Sequence, residues 1–345
     1  MKKIGFFLIL IAMVTACNNQ KDSPDISDIS VELGVDRFDE DFFSMDTARL
    51  STSLSALQAR YPALLPVFLE SILGVMDEQG IKTFIRLYKP VYDSSQKLYA
   101  DFKPVQAEIE KALRYVKHYF PTYVPPAKLV PVVGPMNSMN DLAKMANGDL
   151  TPNFIGPGFI GISLQFYLGK NFSLYNEEYF INNVVPRYRS RRFSRAYIVA
   201  EVMKLVADDL FPDKSNTRPL IEQMIERGKQ WWLIGKFLPD TPDSIKTGYT
   251  TQQLQWCEEN EGLIWSHIIK YENLYDLTPA TIQTYIGEAP FTQGFSQESS
   301  PGNLGPWIGL QIVKKFASSQ SGTKPEDIMK TSPKRILEEA KYKPK

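Results

Sequence analysis

Residues 189–210 read RSRRFSRAYIVAEVMKLVADDL, and this stretch indicates the fold class. Its apolar residues recur every three or four positions, which is the spacing of the buried face of an α-helix. This spacing is carried by Phe193, Ala196, Tyr197, Ala200, Met203 and Val206. Phe211-Pro212 ends the pattern, because a proline cannot continue a helix. The sequence therefore predicts one long amphipathic helix over 189–210.

The chain that follows this stretch also has helical patterns up to its C-terminus. One helix is predicted over 217–232, and Thr250-Thr251-Gln252-Gln253 resembles a capping box that opens another, running to about residue 269. Further helices are expected where a hydroxyl residue precedes a proline in the first helical turn. These places are Thr278-Pro279, Thr323-Lys324-Pro325 and Ser332-Pro333.

Towards the N-terminus, predicted helices are interspersed with three short strand patterns. Helices are expected over 46–60 and 105–119, where leucine, isoleucine and valine share one face. Strands are expected over 29–38, 128–133 and 159–167, which are alternating or continuously apolar. Three short strands among about ten helices predict an α+β protein that is mostly helical, with a small mixed sheet.

The composition limits the chemistry that the chain can perform. Its 345 residues include 39 basic and 39 acidic side chains, so no charge excess points to nucleic acid. Two histidines and two cysteines are too few for a metal site rich in these residues. The composition therefore favours binding or structural work over metal or thiol catalysis, and we expect no cofactor.

The first residues have the features of an export signal. Lys2 and Lys3 precede an apolar run over 4–14, which would make about 16 Å of helix, too short for a hydrocarbon core of about 30 Å. The run ends in Val14-Thr15-Ala16-Cys17, which resembles a bacterial lipobox, in which the cysteine is acylated and the chain is cut before it. We therefore predict a signal peptide over 1–16 and a lipid anchor at Cys17.

The residues after the lipobox predict the domain organisation and the location. A polar tether over 17–28 precedes one domain over 29–345, with a subdomain break expected near residue 150, where Asn, Gly and Pro cluster. Asn18 stands where enterobacterial lipoproteins that are retained in the inner membrane carry Asp. We therefore expect a lipid-anchored envelope protein on the outer membrane that faces the periplasm.

The predicted long helix contains a degenerate form of a zinc peptidase motif. In H-E-x-x-H, two histidines four residues apart bind the metal and the glutamate activates a water molecule. Glu201 has the glutamate position, but Ala200 has no donor atom and Lys204 is positively charged. Two interpretations stay open, a chance match and a decayed metallopeptidase scaffold. We predict no catalytic zinc in either case.

Five arginines crowd the residues from 187 to 195. Arg187, Arg191 and Arg195 would fall on one face of a helix that begins at Pro186. Such a face could bind phosphate or carboxylate groups of a partner, a lipid or a glycan. The alternative is a solvated surface that pairs with nearby acids.

Several stretches, spread from end to end of the chain, carry a family resemblance. The main ones are the lipobox at Cys17, VDRFD at 35–39, FIGISLQFYLG at 159–169 and SPGNLGPWIGLQIV at 300–313, of which the last is the most specific. Shorter matches are Tyr61-Pro62, Met224-Ile225 with Gly228-Lys229, Asn260-Glu261 with Trp265, and Ala289-Pro290-Phe291. In these stretches the chain resembles the gliding-motility lipoprotein GldB family of the Bacteroidetes. Pro306 departs from the family pattern, where a less restrictive residue is expected.

The resemblance implies a lipoprotein of the cell envelope tied to gliding motility and the associated type IX secretion apparatus. It also implies a distant relationship to zinc peptidases that have lost their metal ligands, and therefore a degenerate zincin-like fold and a pseudoenzyme. We expect a non-catalytic protein that contacts envelope proteins of a motility or secretion complex. The alternative is a periplasmic hydrolase of peptides or peptidoglycan that uses carboxylates such as Glu201.

The lipid anchor leads to a direct prediction. Protein purified from membranes should begin at Cys17 and carry acyl chains on that residue, because the apolar run before it is too short to span the membrane. Mass spectrometry of the N-terminal peptide measures both changes. An unmodified Cys17, or a chain that keeps Met1, would contradict the prediction.

Overall fold

The structure is a computed structural model that describes residues 23–139, 151–320 and 322–344. These residues form a mostly helical α+β fold with one small mixed sheet, which confirms the predicted fold class. The predicted signal peptide, Cys17 and the first part of the tether lie outside the described residues. So does the segment 140–150, where the subdomain break is expected, although the strands before and after it belong to one sheet.

The sheet has four strands in the order β1-β2-β4-β3. Its first three strands in this order are parallel, and β3 runs antiparallel to β4 at the edge. The central strands β2 and β4 are almost wholly buried, as parallel strands covered on both faces usually are. The strands are β1 (Gly34–Val35), β2 (Lys128–Val132), β3 (Asn153–Gly156) and β4 (Phe159–Ser163).

The predicted strands agree with the sheet in part. The expectation for 128–133 is confirmed by β2, and β4 occupies the first half of 159–167, which continues as a short 3-10 turn. The strand predicted over 29–38 is wrong in length, because only two residues pair and a helix begins at Phe38. β3 is not among the predicted strands. It forms a hairpin with β4 around Gly158, whose φ of +80° favours glycine.

Eight helices in the described residues surround the sheet or precede the second half of the chain. A turn of π-helix over Phe68–Leu73 directly follows the helix that ends at Val67. The eight are α1 (Phe38–Phe43), α2 (Leu50–Arg60), α3 (Leu64–Val67), α4 (Glu78–Tyr99), α5 (Lys103–Tyr119), α6 (Glu178–Asn183), α7 (Arg187–Ser190) and α8 (Ile198–Leu210).

The second half of the described chain contains helices without strands. The predicted capping box is present at the start of one of them, where Thr250 and Gln253 exchange hydrogen bonds. The helices are α9 (Leu220–Phe237), α10 (Asp243–Thr247), α11 (Thr251–Glu259), α12 (Glu261–Tyr271), α13 (Pro279–Ile286), α14 (Leu304–Ser319), α15 (Pro325–Lys330) and α16 (Pro333–Ala340). Within the described ranges, no helix combines the length and the apolar character that a membrane crossing requires.

The long helix predicted over 189–210 is wrong in its first half. α7 ends at Ser190 and α8 begins only at Ile198. Between them the chain is extended at Ser194, which forms an isolated β-bridge with Leu168. The side chain of Phe193 is buried here against the rings of Phe166 and Tyr175. This long-range pairing overrides the local helical pattern.

Two hydrophobic cores meet at α9. The sheet core contains the sheet, α1 to α8 and the C-terminal half of α9, where Leu233 and Phe237 are fully buried. The helical core contains most of the chain from residue 249 onward and the N-terminal half of α9, where Leu220 and Met224 are fully buried. One helix therefore supplies side chains to both cores.

α9 and α14 cross at glycines. A Cβ atom on Gly309 of α14 would lie 1.7 Å from the carbonyl oxygen of Met224 on α9, and one on Gly228 of α9 would lie 2.1 Å from the carbonyl carbon of Gly309. A side chain at either position would overlap the other helix. The two backbones therefore make contact only because both positions are glycine. A Cβ atom on Gly305 of α14 would lie 2.8 Å from the carbonyl oxygen of Tyr285 on α13.

The close approach of α9 and α14 predicts a large difference in stability between two glycine-to-alanine variants. Gly309→Ala should lower the free energy of unfolding by about 1–3 kcal/mol or more, because the new methyl group overlaps the backbone of α9. Gly235→Ala, on the open side of α9, should raise it by roughly 0.5–1 kcal/mol, because nothing lies near its Cβ position and alanine favours a helix. Denaturant unfolding of the two variants measures both values. Equal stability of the two variants would contradict the crossing.

Candidate functional site

A cleft of about 510 Å³ opens between the two cores. One side is formed by α7, α8 and the residues that precede β3, and the other by α9, α13 and the N-terminal end of α14. Trp231 and Tyr188 supply aromatic surface, and Ile286 and Pro306 supply aliphatic surface. Charged side chains project into the cleft from both sides. A cavity of this size with an apolar wall and a few converging polar groups is the usual form of a ligand site.

The residues of the degenerate peptidase motif lie on α8, at the cleft. Ala200 is buried and does not line it, whereas Glu201 and Lys204 do. The Lys204 ammonium donates a hydrogen bond of 2.8 Å to Oε1 of Glu201, whose side chain is only 11% exposed. The carboxylate at the position of the peptidase base is therefore held by a cation one turn along the same helix.

These positions do not fit a zinc ion. Ala200 offers no ligand atom, and the ammonium of Lys204 would repel a divalent cation. In the parts of the chain that the structure describes, no group of three or more His, Cys, Asp or Glu side chains is arranged to hold a metal ion. The expectation that the protein has no catalytic zinc stays a prediction.

Glu288, in the loop after α13, binds two arginines. The NH2 group of Arg192 donates to both carboxylate oxygens, at 2.8 and 2.9 Å, and Nε of Arg189 lies 2.7 Å from Oε2. Desolvation acts to raise the pKa of Glu288, but the positive charges of Arg192 and Arg189 outweigh it and lower this pKa. Desolvation likewise acts to lower the pKa of Arg192, but Glu288 and Glu201 raise it. Glu288 and Arg192 are therefore both charged at neutral pH.

Arg191 lies beside this pair in a small side pocket that shares Tyr188, Arg192 and Glu288 with the cleft. Its NH2 group donates to the carbonyl oxygen of Gly248 at 2.9 Å and to Oε1 of Gln253 at 3.1 Å. Both acceptors are uncharged. Desolvation, followed by the charge of Arg192, lowers the pKa of Arg191.

The predicted arginine face is wrong as a single helical face. Arg187 is exposed on α7, Arg191 follows the end of that helix, and Arg195 lies in a separate 3-10 turn. Arg195 pairs with exposed Glu108 of α5 at 2.7 Å, away from the cleft. Arg187 and Arg191 are one helical turn apart, but Arg195 is separated from them because the chain becomes extended at Ser194.

The structure places other residues of the same arginine run in the cleft. Arg189 and Arg192 converge there on Glu288, which follows Arg192 by 96 positions. The density of arginines in the sequence indicates a basic site, but its pattern does not tell which members face inward. Glu288 gives no signal in the sequence, because its partners are distant and the loop that positions it has no motif.

The floor of the cleft is a buried polar layer. The amide of Asn153, in β3, donates to the hydroxyl of Tyr167 at 2.8 Å, and Tyr99 donates to the backbone carbonyl of Tyr167 at 2.6 Å. Burial raises the pKa of the Tyr167 hydroxyl, so it is protonated at physiological pH. This layer links β3 to Tyr167 at the cleft through hydrogen bonds.

The comparison with known families agrees with the sequence resemblance. A family model described as gliding motility protein GldB matches residues 19–344, which is nearly the whole chain. The chain belongs to the GldB family. No curated protein and no solved structure matches it. Membership in the GldB family associates the protein with gliding motility, whereas the relationship to zinc peptidases has no support in these matches and stays a prediction.

Glu288 should make the stability of the folded protein depend on pH. Its pKa is lower in the folded protein than the ordinary value of 4.5, so its contribution to stability is complete above that value and is lost as the pH falls through the folded pKa. Glu288→Gln should therefore be less stable than the wild type at pH 7, and the difference should shrink below about pH 4.5. Denaturant unfolding at several pH values measures it.

Glu108→Gln is the matched control, because Glu108 and its partner Arg195 are both exposed on the surface. This substitution should change stability little at any pH, since exposed ion pairs contribute about 0–1 kcal/mol. A difference for Glu288→Gln that does not depend on pH would contradict the role assigned to its charge.

Proposed function

We propose that this GldB-family protein is a lipid-anchored, non-catalytic protein of the cell envelope that supports the gliding and type IX secretion machinery through protein contacts. Its family membership supports the link to motility. The observation that carries the non-catalytic part is the ion pair of Lys204 with Glu201.

Of the three carboxylates that line the cleft, Glu201 and Glu288 face each other from opposite sides, and each of these two is held by cations. Hydrolysis without a metal needs two titratable groups whose pKa values are driven apart, one acting as acid and the other as base. Glu201 is bound by Lys204, and Glu288 is bound by Arg192 and Arg189. The lowered pKa of Glu288 makes this carboxyl a poor general acid and a weak base. The arrangement therefore favours binding over hydrolysis.

A degenerate zincin-like origin accounts for the position of this ion pair. In such a fold, the helix that once carried the metal ligands would line the central cleft, as α8 does here. Ala200 and Lys204 would then stand where the two histidines were lost, and the ammonium would replace part of the positive charge of the metal. The protein would be a pseudoenzyme that kept the cleft and lost the reaction.

The location follows from the lipobox. Acyl chains on Cys17 would bind the membrane, at about 0.8 kcal/mol for each buried CH₂ group, and the tether over 17–28 would separate the folded domain from the bilayer. We place the anchor in the outer membrane, with the domain in the periplasm. The partners would then be envelope proteins of the motility or secretion complex, and nucleic acid would not be among them.

Deletion of the gene in its own organism tests this proposal. Cells without the protein should spread less on agar and secrete less protein, and the wild-type gene should restore both. Glu201→Gln should also restore both, because the proposal gives this carboxylate no catalytic role. Cys17→Ala should not, because the protein would lose its anchor.

Glu108→Gln serves as the control for Glu201→Gln, since it removes an exposed carboxylate outside the cleft. Immunoblots should show equal amounts of both variants. If Glu201→Gln fails while Glu108→Gln succeeds at equal amounts, the hydrolase alternative is favoured. A deletion that changes neither spreading nor secretion would contradict the link to motility.

A further inference from the structure

The cleft and its side pocket carry an excess of positive charge. Among the described residues, five basic side chains and three acidic ones line them. The basic residues are Arg189, Arg191, Arg192, Lys204 and Arg227, and the acidic ones are Glu201, Asp208 and Glu288. Cations that converge in a partly desolvated cavity attract anions more strongly than they would on an open surface.

Arg192 has hydrogen-bonding capacity that the protein itself does not use. Its NH2 group binds Glu288, but Nε and NH1 have no acceptor among the described residues. The side chain is only 16% exposed, but neither nitrogen is among the fully buried polar atoms, so both can be reached from solvent. These donors can be satisfied by an acceptor that enters the cleft.

Gly248 leaves room for this guanidinium. It has a φ of +77°, and a Cβ atom there would lie 2.7 Å from NH1 of Arg192. The carbonyl oxygen of the same residue accepts the hydrogen bond from Arg191. One glycine therefore lies beside both arginines, and Arg191 adds a second positive charge whose hydrogen-bond acceptors among the described residues are neutral.

The remaining lining of the cleft is amphipathic. Trp231, Ile286 and Pro306 offer apolar surface, and the carboxamides of Gln283 and Asn303 offer both a donor and an acceptor. A volume of about 510 Å³ lies within the range of sites that bury most of a small organic ligand. Apolar surface, carboxamides and a cation together match a peptide, which has side chains, backbone amides and a carboxylate.

We propose that the cleft binds a short peptide segment through its free C-terminal carboxylate, and that Arg192 and Arg191 are the residues that bind this carboxylate. The inference rests on the proposed function in treating the cleft as a binding site rather than a catalytic one. A carboxylate carries one negative charge, so it is repelled less by Glu201 and Glu288 than a phosphate dianion would be.

A binding experiment with the full-length mature protein in detergent tests the inference. The probes are a library of N-acetylated tetrapeptides with a free C-terminal carboxylate and the same library as C-terminal amides. The immobilised protein should retain the best carboxylate peptides at least about tenfold more strongly than their amides, since hydrogen bonds to charged groups have this effect. Mass spectrometry of the eluted peptides measures the ratio.

Substitutions of Arg192 and Arg191 test whether these residues bind the carboxylate. Arg192→Gln should weaken retention of the carboxylate peptides by at least about tenfold, and Arg195→Gln, its matched control outside the cleft, should not change it. Arg191→Gln should also weaken retention, and it replaces Arg192→Gln if the latter fails to melt cooperatively. A folded Arg192→Gln variant with unchanged retention would overturn the assignment.

Three further outcomes also decide the inference. Equal retention of amides and carboxylates, or no retention of either library, would overturn it. Inorganic phosphate that displaces the peptides at a lower concentration than acetate does would also overturn it, in favour of a phosphate ligand. Shortened peptides in the eluate would contradict the proposed function instead, and the ratio of carboxylate to amide would still decide the inference.

Discussion

The contact between Gly228 on α9 and Gly309 on α14 sets how closely these two helices of the helical core approach each other. Because neither residue has a side chain, the helices approach to backbone contact, and the N-terminal end of α14 is brought to the cleft. That end carries Asn303 and Pro306, which line the cleft opposite α8. The width and the composition of the cleft therefore depend on a backbone-to-backbone contact that contains no side chain.

The charges of the cleft are arranged under a different constraint, the cost of desolvation. Glu201 and Glu288 each have a cation within hydrogen-bonding distance, so neither carboxylate is left without a counter-charge in the cavity. Arg192 and Arg191 are compensated less completely, since one carboxylate and two neutral oxygens serve them. The fold thus neutralises the negative charge of the cleft more fully than its positive charge.

Local sequence signals predict the parts of the fold that depend on local interactions. The strand over 128–132 and the capping box at Thr250 could be predicted because apolar continuity and cap geometry involve only neighbouring residues. The interruption between α7 and α8 could not, since it contains a β-bridge from Ser194 to the distant Leu168. Glu288 could not either, because only the folded chain brings it to the arginines.

The position of α9 in both cores limits how the cleft can change its shape. Domain closure usually occurs at a few loop residues that absorb large changes in backbone angle. Here one element common to the two cores is an 18-residue helix, with Met224 buried in one core and Phe237 in the other. Hinged opening would bend this helix and break its backbone hydrogen bonds. The shared helix therefore opposes hinged opening of the cleft, and a ligand would bind there with little loss of conformational entropy in the protein.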